Sequence, residues 1–267
     1  MDDKEKLDIK EERYKIVRKS NDFISKTNLS LTATQQKILN YLISKINPFD
    51  DEFKIYTFDV IQYAKVAGID FCSGKNYNDI KNSLKELADK SNWVKLHTND
   101  TINNNAVSTK LLRLIQDIEI VESTSQIKIR FSDDLKDFLL KLRSNYTEFE
   151  LIETLNLKSK YAIRLYEIIK SFHFKELEVY EKTFEIAQLK ELLNVPASYD
   201  YTAFKNKIII PAVSEINQKT DKLLSYKFER KGNKYYYITL AIASKSVTDR
   251  ITTQAETDEQ LSFFLDD

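Results

Sequence analysis

Glycine, proline, cysteine and histidine are all scarce in this chain, and each shortage excludes something. Three glycines and three prolines in 267 residues argue against an all-β or loop-rich architecture and for much helix. The single cysteine, Cys72, rules out an internal disulfide and suits a reducing cytosol, so a cytoplasmic location is expected. His97 and His173 stand far apart without metal-ligand spacing to that cysteine, and neither a metal nor another cofactor is expected. No apolar run of about 18 residues exists to cross a membrane. The charged opening stretch, Met1 to Asn21, lacks the apolar segment of a secretory leader.

Catalytic patterns are missing as well. A nicking enzyme wants paired histidines around an apolar residue plus a nucleophilic tyrosine, and His97-Thr98-Asn99 does not supply the pair. The fifteen tyrosines read first as half-buried packing residues. Gly68-Ile-Asp-Phe-Cys-Ser-Gly74-Lys75-Asn76 has one residue too many between its glycines for a nucleotide loop, and Asn76 replaces the metal-binding hydroxyl. It reads as a turn, and the chain as no enzyme.

What is present is a globular composition, 42% hydrophobic and 31% charged, with a formal net charge of zero. That zero hides an asymmetry. From Ser244 onward two cations face six carboxylates, a net of −4, which leaves +4 on residues 1–243. Local positive surface, more than the whole-chain total, governs attraction to phosphate.

Periodicity then gives the organisation. Thr32 and Gln35 have capping-box spacing ahead of an apolar stripe, Ile38, Leu42 and Ile46, which Pro48 stops. Residues 56–58 read as a strand, 59–67 as a short helix ending near Gly68, and 77–90 as a longer helix. Strands over 93–96 and 110–121 flank a polar hairpin tip at 98–105. The second half repeats this order: helix 158–172, strand 179–184, short helix 185–193, long helix 201–218, and strands 224–229 and 235–243 around a Gly232 turn. Thr57-Phe58-Asp59-Val60-Ile61-Gln62 also aligns with Thr183-Phe184-Glu185-Ile186-Ala187-Gln188, which favours a tandem duplication. The expected fold is α+β, two tandem winged-helix domains over 1–135 and 136–243. A disordered acidic tail is expected over 244–267.

In such a domain the second helix enters the major groove and the wing touches backbone. Phe204, Ile208, Ala212 and Ile216 mark the buried face of the second long helix. Thr202, Lys205 and Asn206 then point outward and Lys207 sits at the edge, with Pro211 expected to kink the helix or end its first part. Lysine can donate to guanine and asparagine can pair with adenine. Arg230, Lys231 and Lys234 crowd the hairpin tip, where cations suit phosphate. Lys75, Asn78, Lys81 and Lys85 offer an equivalent first-domain face, with Lys85 better suited to plain solvent exposure. The same residues also fit ordinary solvated helix surfaces.

Val17-Arg-Lys-Ser-Asn21, Leu31 to Leu39, Gly74-Lys-Asn-Tyr77, Leu157 to Glu167, Phe204 to Lys207, Glu215-Ile-Asn217, Thr220-Asp221 and Lys231-Gly232, in this order, resemble the plasmid replication initiator (Rep) family of the theta, iteron-binding type. The resemblance covers residues 11–243. It implies binding of double-stranded origin repeats, opening of an adjacent A·T-rich region, recruitment of host helicase or loader, and homodimers acting at an operator. It places Lys205, Asn206 and Lys207 in a basic recognition cluster, although Asn206 interrupts the run of cations, and it makes Arg164 a structural residue. A tandem winged-helix transcriptional repressor is the alternative. The C-terminal Gln260-Leu261-Ser262-Phe263-Phe264 resembles the linear peptide that docks replication proteins on the sliding clamp, with Phe263 in place of the usual Leu. A hydrophobic end folding back on the protein is the competing reading.

Overall fold

Local signals set most of the element boundaries in the computed structural model, which describes residues 3–27, 30–70, 74–97, 107–121, 124–172 and 179–266. A charged helix α1 (Asp3–Arg13) leads into strand β1 (Ile16–Ser20), whose last residue caps α2 (Asn21–Lys26) by accepting from the Phe23 N–H at 3.1 Å. Helix α3 (Ala33–Ile43) carries the full capping box, Thr32 Oγ1 accepting from Gln35 N and Gln35 Oε1 from Thr32 N. Strand β2 (Tyr56–Asp59) hands over to α4 (Val60–Ala67) at Asp59, whose carboxylate accepts from Gln62 N at 2.9 Å. Gly68, at φ 65°, closes α4 in the left-handed conformation that glycine adopts without strain. Helix α5 (Gly74–Ala88) follows, with Ile80, Leu84 and Leu87 inward.

Beyond α5 the first half departs from expectation. Strands β3 (Ser91–His97) and β4 (Val107–Arg113) form a ribbon of their own. The returning strand expected over 110–121 breaks at buried Leu114, whose carbonyl accepts from Ser132 N at 3.1 Å. Its second part, β5 (Ile115–Ile120), pairs instead with β6 (Gln126–Phe131), a strand outside the expected order, giving the antiparallel sheet β2-β6-β5. The hairpin tip expected at 98–105 and His173 lie outside the described residues.

A short helix α6 (Lys136–Leu139) then leads to β7 (Tyr146–Glu150), which pairs antiparallel with β1. The boundary expected at 135/136 therefore falls inside a helical turn, and the β1–β7 ribbon joins residues from both sides of it. Helices α7 (Leu151–Leu155) and α8 (Lys160–Phe172) come next. The second sheet is β8-β10-β9, built from β8 (Tyr180–Glu185), β9 (Lys222–Lys231) and β10 (Lys234–Ser244). Between its strands lie α9 (Ile186–Leu192), α10 (Tyr201–Phe204) and α11 (Ile210–Lys219). The repeated hexapeptide occupies equivalent places: Phe58 and Phe184 are both buried at the end of an outer strand that feeds a short helix. Buried side chains form one continuous cluster through both halves.

The tail expected to be disordered is instead helix α12 (Val247–Asp266). Ser246 caps it, accepting from Asp249 N at 3.1 Å. Asp258 ties it to α1 through Lys10 at 2.7 Å and Tyr14 at 3.4 Å. Polar ties of this kind leave no apolar period, which is why the sequence looked unstructured.

Candidate nucleic-acid interface

The long helix of the second unit is interrupted by a π turn over Lys205–Ile209 that joins α10 to α11. Ile210 N donates to the Lys205 carbonyl, five residues back, and Pro211 sits in the first turn of α11. Two features of the sequence call for this. Proline has no N–H and crowds the carbonyl four residues earlier. Inward residues spaced by four also overshoot an α-helical turn by about 40° per step, so Phe204, Ile208, Ala212 and Ile216 would drift off one face. A single wide turn takes up the slack, and all four are buried. Pro211 thus widens the helix rather than ending it.

This geometry leaves Thr202, Asn206 and Lys207 exposed and Lys205 half-buried. Among the described residues Lys205 and Asn206 have no ion-pair or side-chain hydrogen-bond partner, and the Lys207 ammonium lies 5.4 Å from the Tyr199 ring. On the neighbouring hairpin Arg230, Lys231 and Lys234 are all exposed around a two-residue turn. Gly232 takes its first central position at φ 64°.

Aromatic packing that the sequence did not reveal joins helix to wing. Tyr201, the first residue of α10, stacks on Tyr235 of β10 with ring centroids 4.2 Å apart and planes within 9°, while Phe228 meets Tyr201 edge-on at 5.1 Å. The Arg230 guanidinium lies 4.5 Å from the Tyr235 ring centroid and donates to its hydroxyl at 3.3 Å. Lys231 sits 5.1 Å from the Tyr236 ring. The helix start and the cationic wing are therefore one surface. Strand alternation alone would have hinted at it, since Tyr226, Phe228 and Tyr235 recur on the sheet.

The first-unit face is only partly as expected. Lys75 and Asn78 are exposed on α5, with Lys75 inside the helix rather than just before it, and Lys85 is exposed as well. Lys81 is a correction: it is buried beside Ile80, because it falls on the edge of the inward stripe. Asn82, overlooked in the sequence, is exposed and completes a helical row with Lys75, Asn78 and Lys85; its spacing of four from Asn78 was the available signal. At the C-terminus Leu261 is buried, whereas the side chains of Gln260, Phe263 and Phe264 lie outside what is described.

Behind the α10–α11 helix stands a frame of polar contacts. Glu215 accepts from the backbone N–H groups of Lys158 and Ser159 at 2.6 and 3.1 Å, capping the approach to α8. Asn217 both donates to and accepts from the Leu224 backbone. Asp221 accepts from the Tyr166 hydroxyl at 2.9 Å. Arg164 is wholly structural, donating to the carbonyls of Ile24, Thr27 and Leu192 and pairing with Glu167.

Two sheets of matching order, each fed by a short helix and then a longer one, the second with a basic wing, define a tandem winged-helix protein. The chain belongs to the replication initiator (Rep) family: the Initiator Replication protein WH1 domain matches residues 16–170 and the Initiator Rep protein WH2 domain residues 185–242. Among solved structures it is similar to the Pi initiator protein, determined in complex with iteron DNA. The TM-score is 0.70 at 17% identity, covering 88% of this chain and 99% of that one.

Proposed function

We propose that this protein is a plasmid replication initiator that binds direct repeats at an origin, opens the adjacent duplex and recruits host replication proteins, without catalysis of its own. The observation that carries the reading is the joined surface of the second unit. Tyr201 stacked on Tyr235 joins the start of the helix that carries Lys205 and Asn206 to the wing that carries Arg230, Lys231 and Lys234. The arrangement suits a helix that reads base edges and a wing that holds phosphates. The likeness to an initiator held on iteron DNA supports the same assignment, with Lys75, Asn78 and Asn82 of α5 as a second, weaker contact row.

Binding of a repeat-bearing duplex and a scrambled one, measured by fluorescence anisotropy over a salt series, tests it. Lys205→Ala and Asn206→Ala are each expected to cost about 1–3 kcal/mol on the repeat and much less on the scrambled duplex. Equal losses on both would remove the base-reading role. Lys231→Ala should instead weaken both and lower the salt slope by about one. Supercoiled origin DNA should stay supercoiled with protein and Mg; relaxation would point to a nicking enzyme.

A further docking role is assigned to the C-terminal peptide, with Gln260, Leu261, Phe263 and Phe264 as its contacts to the sliding clamp. Removing residues 260–265 should abolish clamp pull-down and leave repeat binding unchanged. Undiminished pull-down would end that assignment.

A further inference from the structure

On the side of the molecule where α1, α3, α11 and α12 meet, a cleft of about 380 Å³ is lined by Arg13, Lys37, Lys158, Lys219, Glu256 and Leu261. Four cations converge there from four separate stretches of chain, and little charge inside the cleft answers them. Glu215 is already occupied, accepting from the Lys158 and Ser159 N–H groups and from Lys219 Nζ at 3.4 Å. Glu256 is exposed at the rim.

Besides the Glu215 contact of Lys219, three of the cations are held in place by neutral oxygens. Lys37 Nζ donates to the Leu155 carbonyl at 2.7 Å and Lys219 Nζ to the Asn156 carbonyl at 3.2 Å. Arg13, only 4% exposed, donates to the Val66 carbonyl and, at 3.1 Å, to Asn156 Oδ1. Its Nε–H has no partner among the described residues. A buried cation such as Arg13, held by neutral oxygens, is costly unless an anion completes it. The strain is visible in Lys37, whose pKa is brought down to about 8 by burial and by Lys219, Arg13 and Lys158, against the pull of Glu215.

We infer that this cleft binds a small phosphate-bearing anion, up to the size of a mononucleotide. Its volume falls within the range of ligand pockets, and Arg and Lys together supply the fork and point-charge donors that phosphate oxygens accept from. The apolar lining from Ile69 and Leu155 would take the less polar part of such a ligand. The site is separate from the helix–wing surface, because Lys219 ends α11 whereas Lys205 and Asn206 stand at the other end of the same helix. Phosphate of the same chemistry is available from free nucleotides and from a DNA backbone, and the test separates the two.

The experiment is isothermal titration of the full chain at neutral pH and low salt with inorganic pyrophosphate and with ATP, without added metal. Saturable one-to-one binding is expected. Lys37→Gln and Lys158→Gln should each weaken it about tenfold, the worth of one charge-assisted hydrogen bond. Glu256→Gln, at an exposed position, should strengthen it, since it removes a carboxylate from the described lining of the cleft. Thermal unfolding of each variant checks that the fold persists. An unrelated duplex that fails to displace pyrophosphate would assign the site to a free ligand; a duplex that displaces it in the wild type but not in Lys37→Gln would assign it to backbone phosphate. Absence of saturable binding, or affinities untouched by both lysine variants and by Glu256→Gln, would overturn the inference.

Discussion

Glu167 is fully enclosed and ties its own helix α8 to two other stretches of chain. Lys19 of β1 pairs with it at 2.7 Å, Asn40 of α3 donates to it at 3.1 Å and Arg164 lies 3.3 Å away. Burial alone would raise its carboxyl, but Lys19 and Arg164 hold it below the usual range. Glu167→Ala strands two buried cations and is expected to destabilise the fold by about 3–5 kcal/mol in urea titration; a loss under 1 kcal/mol would mean water reaches the site. Glu153 behaves in the opposite way. Its carboxyl is pushed up to about 8 by burial and by Asp221, with Lys170 opposing and Glu150 adding to the rise. A carboxyl raised in the folded state binds a proton that the unfolded chain releases near 4.5. Stability from this group is therefore present at low pH and lost as pH climbs from about 4.5 to about 8. Glu153→Gln, which keeps an acceptor for the Asp221 N–H, should flatten that decline in a series of thermal melts; an unchanged slope would assign the effect to other groups.

At the scale of elements, the readable parts are those with local chemistry. The Thr32 capping box, the Gly68 stop, the Gly232 turn and the apolar stripe of α3 all follow from spacing alone. The missed parts depend on contacts distant in sequence. Strand β7 is a strand because β1 lies beside it, β6 because β2 and β5 flank it, and α12 because Ser246 and Asp258 find partners. Lys81 went astray for a related reason: helical spacing fixes an angle on the helix, but the width of the covered stripe depends on what packs against it. The segments that resemble the family turn out to hold much of the scaffold, through Lys19, Ser20, Arg164, Glu167, Glu215, Asn217 and Asp221, and they also carry Lys205, Asn206, Lys207 and Lys231 of the proposed DNA contacts, whereas Thr202, Arg230 and Lys234 stand outside them. The helix–wing junction gives a test at this scale. Tyr235→Ala should lower second-unit stability by about 0.5–1.5 kcal/mol beyond the lost area and weaken DNA binding on every sequence. Tyr235→Phe, which keeps the stack, should restore most of both.

For the whole molecule the acidic helix α12 is the balancing element. It supplies the −4 that cancels the +4 of residues 1–243, and it bridges to α1 through Asp258. A chain ending at Ala243 should melt at a lower temperature and associate faster with DNA of any sequence at low salt, the difference fading as salt rises. Identical association rates for the long and short chains would show that the tail's charge is screened from the DNA-binding face.

The wide turn at Lys205–Ile209 has a consequence for how such a helix changes. The turn holds one residue more than an ordinary helix would over the same span, so deleting one residue there would let a regular helix run through while Thr202 before it and Ile216 after it keep their faces. A codon lost at this point is absorbed by the turn, whereas the same loss elsewhere in the helix would swing everything before it by about 100°. The helix can thus change in length here without changing which letters it faces.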